Sequence, residues 1–103
     1  MIEVSVAPQA RADIARIVEY LAAVASPATA SQWNNRFWST IDSIADFPGS
    51  GALRPRLGRD VRFKLVYPYL VIYLYERDAV VAHVLRVLHG RRRITRRLLR
   101  EGT

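Results

Sequence analysis

Two arginine-bearing stretches hold the side chains best suited to chemistry. In Arg86-Val87-Leu88-His89-Gly90-Arg91-Arg92-Arg93-Ile94, Arg86 stands inside an otherwise apolar run, where an unpaired charge is costly. It needs a carboxylate, a ligand or a strand face open to water. His89 closes that run beside Gly90 and three arginines, whose charge favours a neutral imidazole. Such a ring can act as a base in phosphoryl transfer. It can equally hydrogen-bond to backbone where a strand ends. The second stretch, Arg54-Pro55-Arg56-Leu57-Gly58-Arg59-Asp60-Val61-Arg62, packs four arginines into nine residues, with Pro55 and Gly58 fixing the backbone. Guanidinium forks at that density can grip phosphates or a carboxylate-rich partner. Each arginine taken alone reads as a solvated loop residue, but Arg62 carries the cluster onto the polar side of a strand.

Other chemistries are excluded by what is missing. There is no GxSxG, Walker loop, GxGxxG or HExxH, and the only histidines are His83 and His89. No metal site or cofactor is expected. With no cysteine, a disulfide framework, a thiolate nucleophile and a cysteine zinc site are all ruled out. Trp33, Phe37 and Trp38 could stack bases, yet Trp33 and Phe37 fall on a helical apolar stripe and read as packing. Tyr67, Tyr69, Tyr73 and Tyr75 read mostly as sheet packing.

Charge is the broad signal. The net charge is +7 over 103 residues, and thirteen of the sixteen basic side chains lie after residue 50. One electropositive face is therefore expected, attractive to nucleic acid, a nucleoprotein machine or an acidic protein. Only Lys64 is Lys among the basic residues. Arg suits bidentate contacts, although a GC-rich genome also converts Lys to Arg. No apolar run nears the roughly 20 residues that span a bilayer. The opening MIEVSVAPQA lacks the features of a signal peptide, so a cytoplasmic protein is expected.

The elements that must position these groups follow from periodicity. Length and composition fit one domain over residues 1–103. Ile2, Val4 and Val6 alternate with polar residues as a half-buried strand does. From Ala10 a helical stripe runs through Ile14, Ile17, Val18 and Leu21, with Arg11, Asp13, Arg16 and Glu19 mostly opposite. Ser26-Pro27 starts a second helix with the stripe Ala30, Trp33, Phe37, Ile41, Ile44 and Ala45. Phe47-Pro48-Gly49-Ser50-Gly51 ends it. Val61, Phe63 and Leu65 alternate with Arg62 and Lys64. Leu70–Tyr75 and Val80–Leu88 complete an antiparallel meander across turns at 67–69 and 76–78. Ile94, Leu98 and Leu99 predict a short C-terminal helix. The reading is α+β, β-α-α-β-β-β plus that helix, with the helical hairpin packed on Phe63, Leu65, Ile72 and Leu74 or their alternates.

In this order the motifs resemble the ParE/RelE toxin superfamily of type II toxin–antitoxin systems over nearly the whole chain. The carriers are Ala12-Asp13-Ile14, Tyr20-Leu21, Phe47-Pro48, Gly51, Arg54-Pro55, Leu57-Gly58, Arg62, Tyr73 and Arg86 to Arg92. The chain is more similar to the ParE branch, although Arg93 stands where members of that branch carry an acidic residue. The resemblance implies a RelE-like fold, a helical hairpin on a small, mainly antiparallel sheet. It implies a ParD-like antitoxin partner in a hetero-oligomer and poisoning of DNA gyrase without catalysis. RelE-type relatives instead cleave mRNA on the ribosome, using basic residues and often a C-terminal Tyr. No Tyr follows Tyr75 here, which favours gyrase.

Three readings follow. In the first, a gyrase poison, Arg62, Lys64 and Arg86 contact the antitoxin, while Arg91, Arg92, Arg93, Arg96 and Arg97 contact the target. In the second, a ribosome-dependent endoribonuclease, Arg54, Arg62 and Arg86 hold phosphate and His89 moves a proton. The third is a non-toxic basic nucleic-acid-binding module, against which the lack of a recognition helix or aromatic sheet motif counts.

Overall fold

The computed structural model describes residues 1–100. Strand β1 (Glu3–Val6) leads into helix α1 (Pro8–Val24), whose first turn takes Pro8 where no amide partner is needed. The helix starts two residues before the apolar stripe does. Helix α2 (Pro27–Asp46) begins where Ser26 turns extended and its hydroxyl accepts the Thr29 N–H at 3.0 Å. A cap of this kind stabilises a helix by about 1 kcal/mol. Two residues separate the helices, so they form an antiparallel hairpin.

After a 3-10 turn at Pro48–Ser50 come β2 (Ala52–Leu53), a second such turn at Pro55–Leu57, β3 (Val61–Val66), β4 (Tyr69–Leu74), β5 (Val81–His89) and α3 (Arg96–Arg100). Among the described residues the five strands form one sheet in the order β1-β5-β4-β3-β2. β1 runs parallel to β5 and every other pairing is antiparallel. The two-residue β2 pairs through Ala52–Phe63 and Leu53–Arg62, an edge strand too short to show in the sequence.

Both faces of the sheet are covered. The hairpin closes one face with Ala10, Ile14, Phe37, Ile41 and Ile44, which pack on Val66, Val71, Tyr73, Ala82, Val84 and Val87. The opposite face gathers Leu57, Val61, Leu70, Ile72 and Leu88 beneath Leu98 and Leu99 of α3. The hairpin therefore sits on the alternate set of β3 and β4 side chains. Phe63, Ile72 and Leu74 belong to the other face, and Leu65 is 60% exposed. Alternation along β3 gave the two faces correctly but not which one meets the helices, because each has an apolar cover. Trp33 is half-buried at the rim, edge-on to Tyr69 at 5.4 Å, with Arg36 stacked 4.3 Å above it.

A bulge in β5 sets up the chemistry described next. Tyr73 pairs with Val84 but Ile72 pairs with Arg86, leaving Leu85 as the extra residue. The parity of β5 shifts there, so Val84 and Val87 both enter the hairpin core.

Candidate functional site

Arg86 is buried, and its carboxylate comes from α1. Its Nε donates to Asp13 Oδ2 at 2.7 Å and its Nη2 to Asp13 Oδ1 at 2.9 Å, a bidentate pair. Its Nη1 donates to the Leu98 carbonyl of α3 at 3.1 Å. Asp13 also accepts the Val87 N–H at 3.0 Å, beyond the point where β1 stops pairing with β5, and a hydrogen bond from Arg16. One carboxylate thus ties α1 to the sheet edge, and one guanidinium ties that edge to α3. This corrects one expectation: Asp13 does not lie on the polar side of α1 but is 1% exposed. Arg86, expected at the antitoxin or phosphate contact, is 4% exposed and turned to Asp13. The signal was available: Asp13 follows Ala10 by three residues and precedes Ile17 by four, inside the apolar stripe.

Arg62 and Lys64 point toward the hairpin side. Arg62 Nη1 donates to the carbonyls of Gly51 at 2.9 Å and Gly49 at 3.1 Å, fastening the loop after α2. Lys64 Nζ donates to Ser43 Oγ of α2 at 2.8 Å. Arg62, Lys64 and Arg86 therefore do not share an open basic face. The same loop is held by Tyr73, whose hydroxyl donates to the Pro48 carbonyl at 2.7 Å and accepts the Gly51 N–H at 2.9 Å. Burial pushes the Tyr73 hydroxyl above its ordinary pKa, and the Gly51 and Ser50 hydrogen bonds and the Arg62 charge oppose that rise. Gly51 has no room for a side chain: a Cβ there would lie 2.5 Å from the Tyr73 oxygen.

His89 ends β5 beneath an aromatic column. Its ring stands edge-on to Tyr69 at 5.5 Å, and Tyr69 in turn meets Phe37 and Trp33. Burial also raises the Tyr69 pKa, with a smaller contribution from Tyr20. His89 Nδ1 accepts the Arg91 N–H at 3.0 Å, which assigns the ring proton to Nε2 and occupies the lone pair a base would use. A shallow cleft of about 200 Å³ beside it is lined by Asp13, Arg16, Tyr69 and Arg92 among others.

Four other arginines gather on the other side of the sheet. Arg54 stacks over Phe63 at 5.1 Å, and Arg96 Nε donates to the Arg56 carbonyl at 3.1 Å. Arg54, Arg56, Arg93 and Arg96 line one cleft of about 380 Å³ with Leu57, Ile94 and Thr95. Sequence reading found Arg54, Arg93 and Arg96 separately. Arg56 stood in the four-arginine stretch without a role of its own, and the meeting of the two stretches was hidden by a chain separation of some forty residues. Arg91, Arg92, Arg93, Arg96 and Arg97 are all exposed. No group of three or more His, Cys, Asp or Glu side chains that could hold a metal occurs among the described residues.

The family model for the ParE toxin of type II toxin-antitoxin system, parDE, matches residues 4–94. The chain belongs to the ParE toxin family. The match runs from β1 to the turn before α3 and so takes in both helices, the sheet and the Asp13–Arg86 pair. A chain of the chromosomal ParDE TA system from P. aeruginosa has the same fold, with a TM-score of 0.72 at 18% identity. The alignment covers 86% of this ParE-family chain and 96% of that one. A comparison with curated proteins gives no match. In this ParE toxin no helix among the described residues is long and apolar enough to cross a membrane.

Proposed function

We propose that this ParE-family toxin acts by poisoning DNA gyrase, without bond-breaking chemistry of its own, and that a cognate ParD-like antitoxin neutralises it. One observation carries the choice against RNA cleavage: the four candidate catalytic groups do not converge. Arg86 is consumed by Asp13 and the Leu98 carbonyl, and Arg62 by loop carbonyls on the hairpin side. Arg54 lies over Phe63 on the opposite face, and His89 Nδ1 is occupied by backbone. Phosphodiester cleavage needs a proton-transfer group and charge stabilisers around one phosphate. A protein inhibitor needs only a surface.

The exposed arginines of the tail, Arg91, Arg92, Arg93, Arg96 and Arg97, supply that surface toward the target. For the antitoxin, Arg62 and Lys64 are half-buried cations on the hairpin side of β3, and Tyr67, just beyond that strand, is 73% exposed. Acidic and apolar side chains of an antitoxin segment suit such a site, with the charges steering and the apolar groups anchoring. The proposal puts the chain in the cytoplasm, where gyrase works.

The deciding experiment adds purified toxin to gyrase with relaxed plasmid, and to ribosomes programmed with mRNA. Loss of supercoiling with accumulation of cleaved DNA, reversed by the neighbouring gene's product, is expected. Ribosome-dependent mRNA cuts that vanish in His89→Ala would overturn the proposal.

A further inference from the structure

Four guanidinium groups converge on the cleft between the Pro55–Leu57 turn and the segment leading into α3, and the seven side chains lining it include no carboxylate. Among the described residues no ion pair involves Arg54, Arg56, Arg93 or Arg96. Like charges brought together by folding oppose it, and no described carboxylate compensates them. The core residues near the cleft, Leu57 and Ile94, are held by Leu98, Leu99 and Ile72, so the fold does not need the cations. Two of the four are held in place. Arg54 is stacked on Phe63, and Arg96 is pinned to the Arg56 carbonyl, which leaves the Arg56 and Arg93 side chains as the two free forks. Planar forks held at the walls of a polar cleft suit the tetrahedral oxygens of phosphate.

We infer that this cleft binds the phosphodiester backbone of a nucleic acid, so the toxin grips a polynucleotide directly as well as any protein target. The inference stands on the charge geometry of the free chain and does not require the gyrase reading. Binding to naked nucleic acid tests it with no gyrase present, so either can fail without the other. The contact is sequence-independent, because only backbone oxygens are recognised. The walls come from two segments that meet only in the folded state, so the site exists only in the native protein.

The test measures fluorescence anisotropy of labelled duplex DNA, and of the corresponding single-stranded DNA and RNA, across a salt series with the full chain. Wild type is expected to bind with a steep negative dependence of log K on log salt. Arg56→Gln with Arg93→Gln removes the two forks that make no structural contact. It should lower affinity about tenfold or more at low salt and flatten the slope by about two, near 0.9 per lost phosphate contact on duplex. Arg36→Gln with Arg11→Gln makes the same change in net charge on the helices and should leave both quantities near wild type. Circular dichroism confirms that both pairs remain folded. A preference for duplex or for a single strand upholds the inference and names the polymer. Equal losses from the cleft and helix pairs would overturn it, since net charge alone would then explain binding. Displacement of the nucleic acid by polyglutamate at matched charge concentration would also overturn it, making the cleft a carboxylate site for a protein partner.

Discussion

Removing the Asp13 carboxylate should do more damage than any other single polar substitution in this chain. It accepts from Arg86 twice, from the Val87 N–H and from Arg16, while its own side chain is 2% exposed. Asp13→Ala takes the Asp13 carboxylate away from the buried Arg86 guanidinium and from the Val87 amide. Breaking a buried pair from one side costs about 3–5 kcal/mol, set against a total stability on the order of 5–15 kcal/mol. For a domain of this size that corresponds to a fall in Tm of about 15–30 °C. Asp13→Leu with Arg86→Met removes both charges and should recover much of the loss. The Val87 N–H keeps recovery incomplete by about 1–3 kcal/mol, the penalty for a buried amide without a partner. Urea unfolding followed by circular dichroism measures Asp13→Ala beside the cycle of Asp13→Leu, Arg86→Met and their double variant. A fall below 1 kcal/mol for Asp13→Ala, or a double variant as unstable as the sum of the singles, would refute the argument. The cycle also bears on mechanism: a double variant that folds and remains toxic shows that Arg86 serves the fold and not a reaction.

Tyr73→Phe removes a donor to Pro48 and an acceptor for Gly51 and should cost about 1–3 kcal/mol in urea melts. Tyr69 and Tyr73 both have raised pKa values, so their contribution is complete below about pH 10 and is lost as pH climbs through their higher folded values. Alkaline unfolding should therefore be less steep in Tyr73→Phe, as read from the ultraviolet absorbance of tyrosinate. Gly51→Ala drives a methyl against the Tyr73 ring and the Phe63 carbonyl and should destabilise by at least the 1–3 kcal/mol typical of overpacking; an unchanged urea midpoint would show that the loop yields. Charge-reversing substitutions at Arg91, Arg92, Arg93, Arg96 and Arg97 should reduce toxicity in graded steps, while His89→Ala leaves it largely intact. Growth curves after induction without antitoxin separate that pattern from the all-or-none loss of a catalytic centre.

The helical hairpin was legible because its signals are local: Ser26 caps, Pro27 follows, and the apolar stripes repeat at helical spacing. The meander was legible for the same reason, from alternation between short turns. What the alternation of Arg62 and Lys64 with Phe63 and Leu65 could not tell was which face the helices choose. That choice depends on the tail, whose Leu98 and Leu99 cover the second face from the far end of the chain. Arg86 announced a need for a carboxylate, but its partner lies seventy-three residues away on α1. The β5 bulge that shifts the register before Arg86 leaves no mark in composition. His89 showed two possible roles in the sequence, and in the fold its Nδ1 accepts the Arg91 N–H.

The parallel pairing of β1 with β5 joins Glu3 to Val81 and Val6 to Val84, so the first strand made must wait for the last. Such a ladder is long-range and slow to close. On the ribosome the hairpin emerges early, yet its apolar stripes have no sheet to cover, and Asp13 has no Arg86, until β5 is complete. The native core therefore closes late in synthesis, and the apolar stripes of the hairpin stay uncovered until then. Ribosome-bound chains halted at Asp78 should be degraded readily by added protease, whereas released full-length chains resist it. Equal resistance of the two would mean that the hairpin is stable without its sheet.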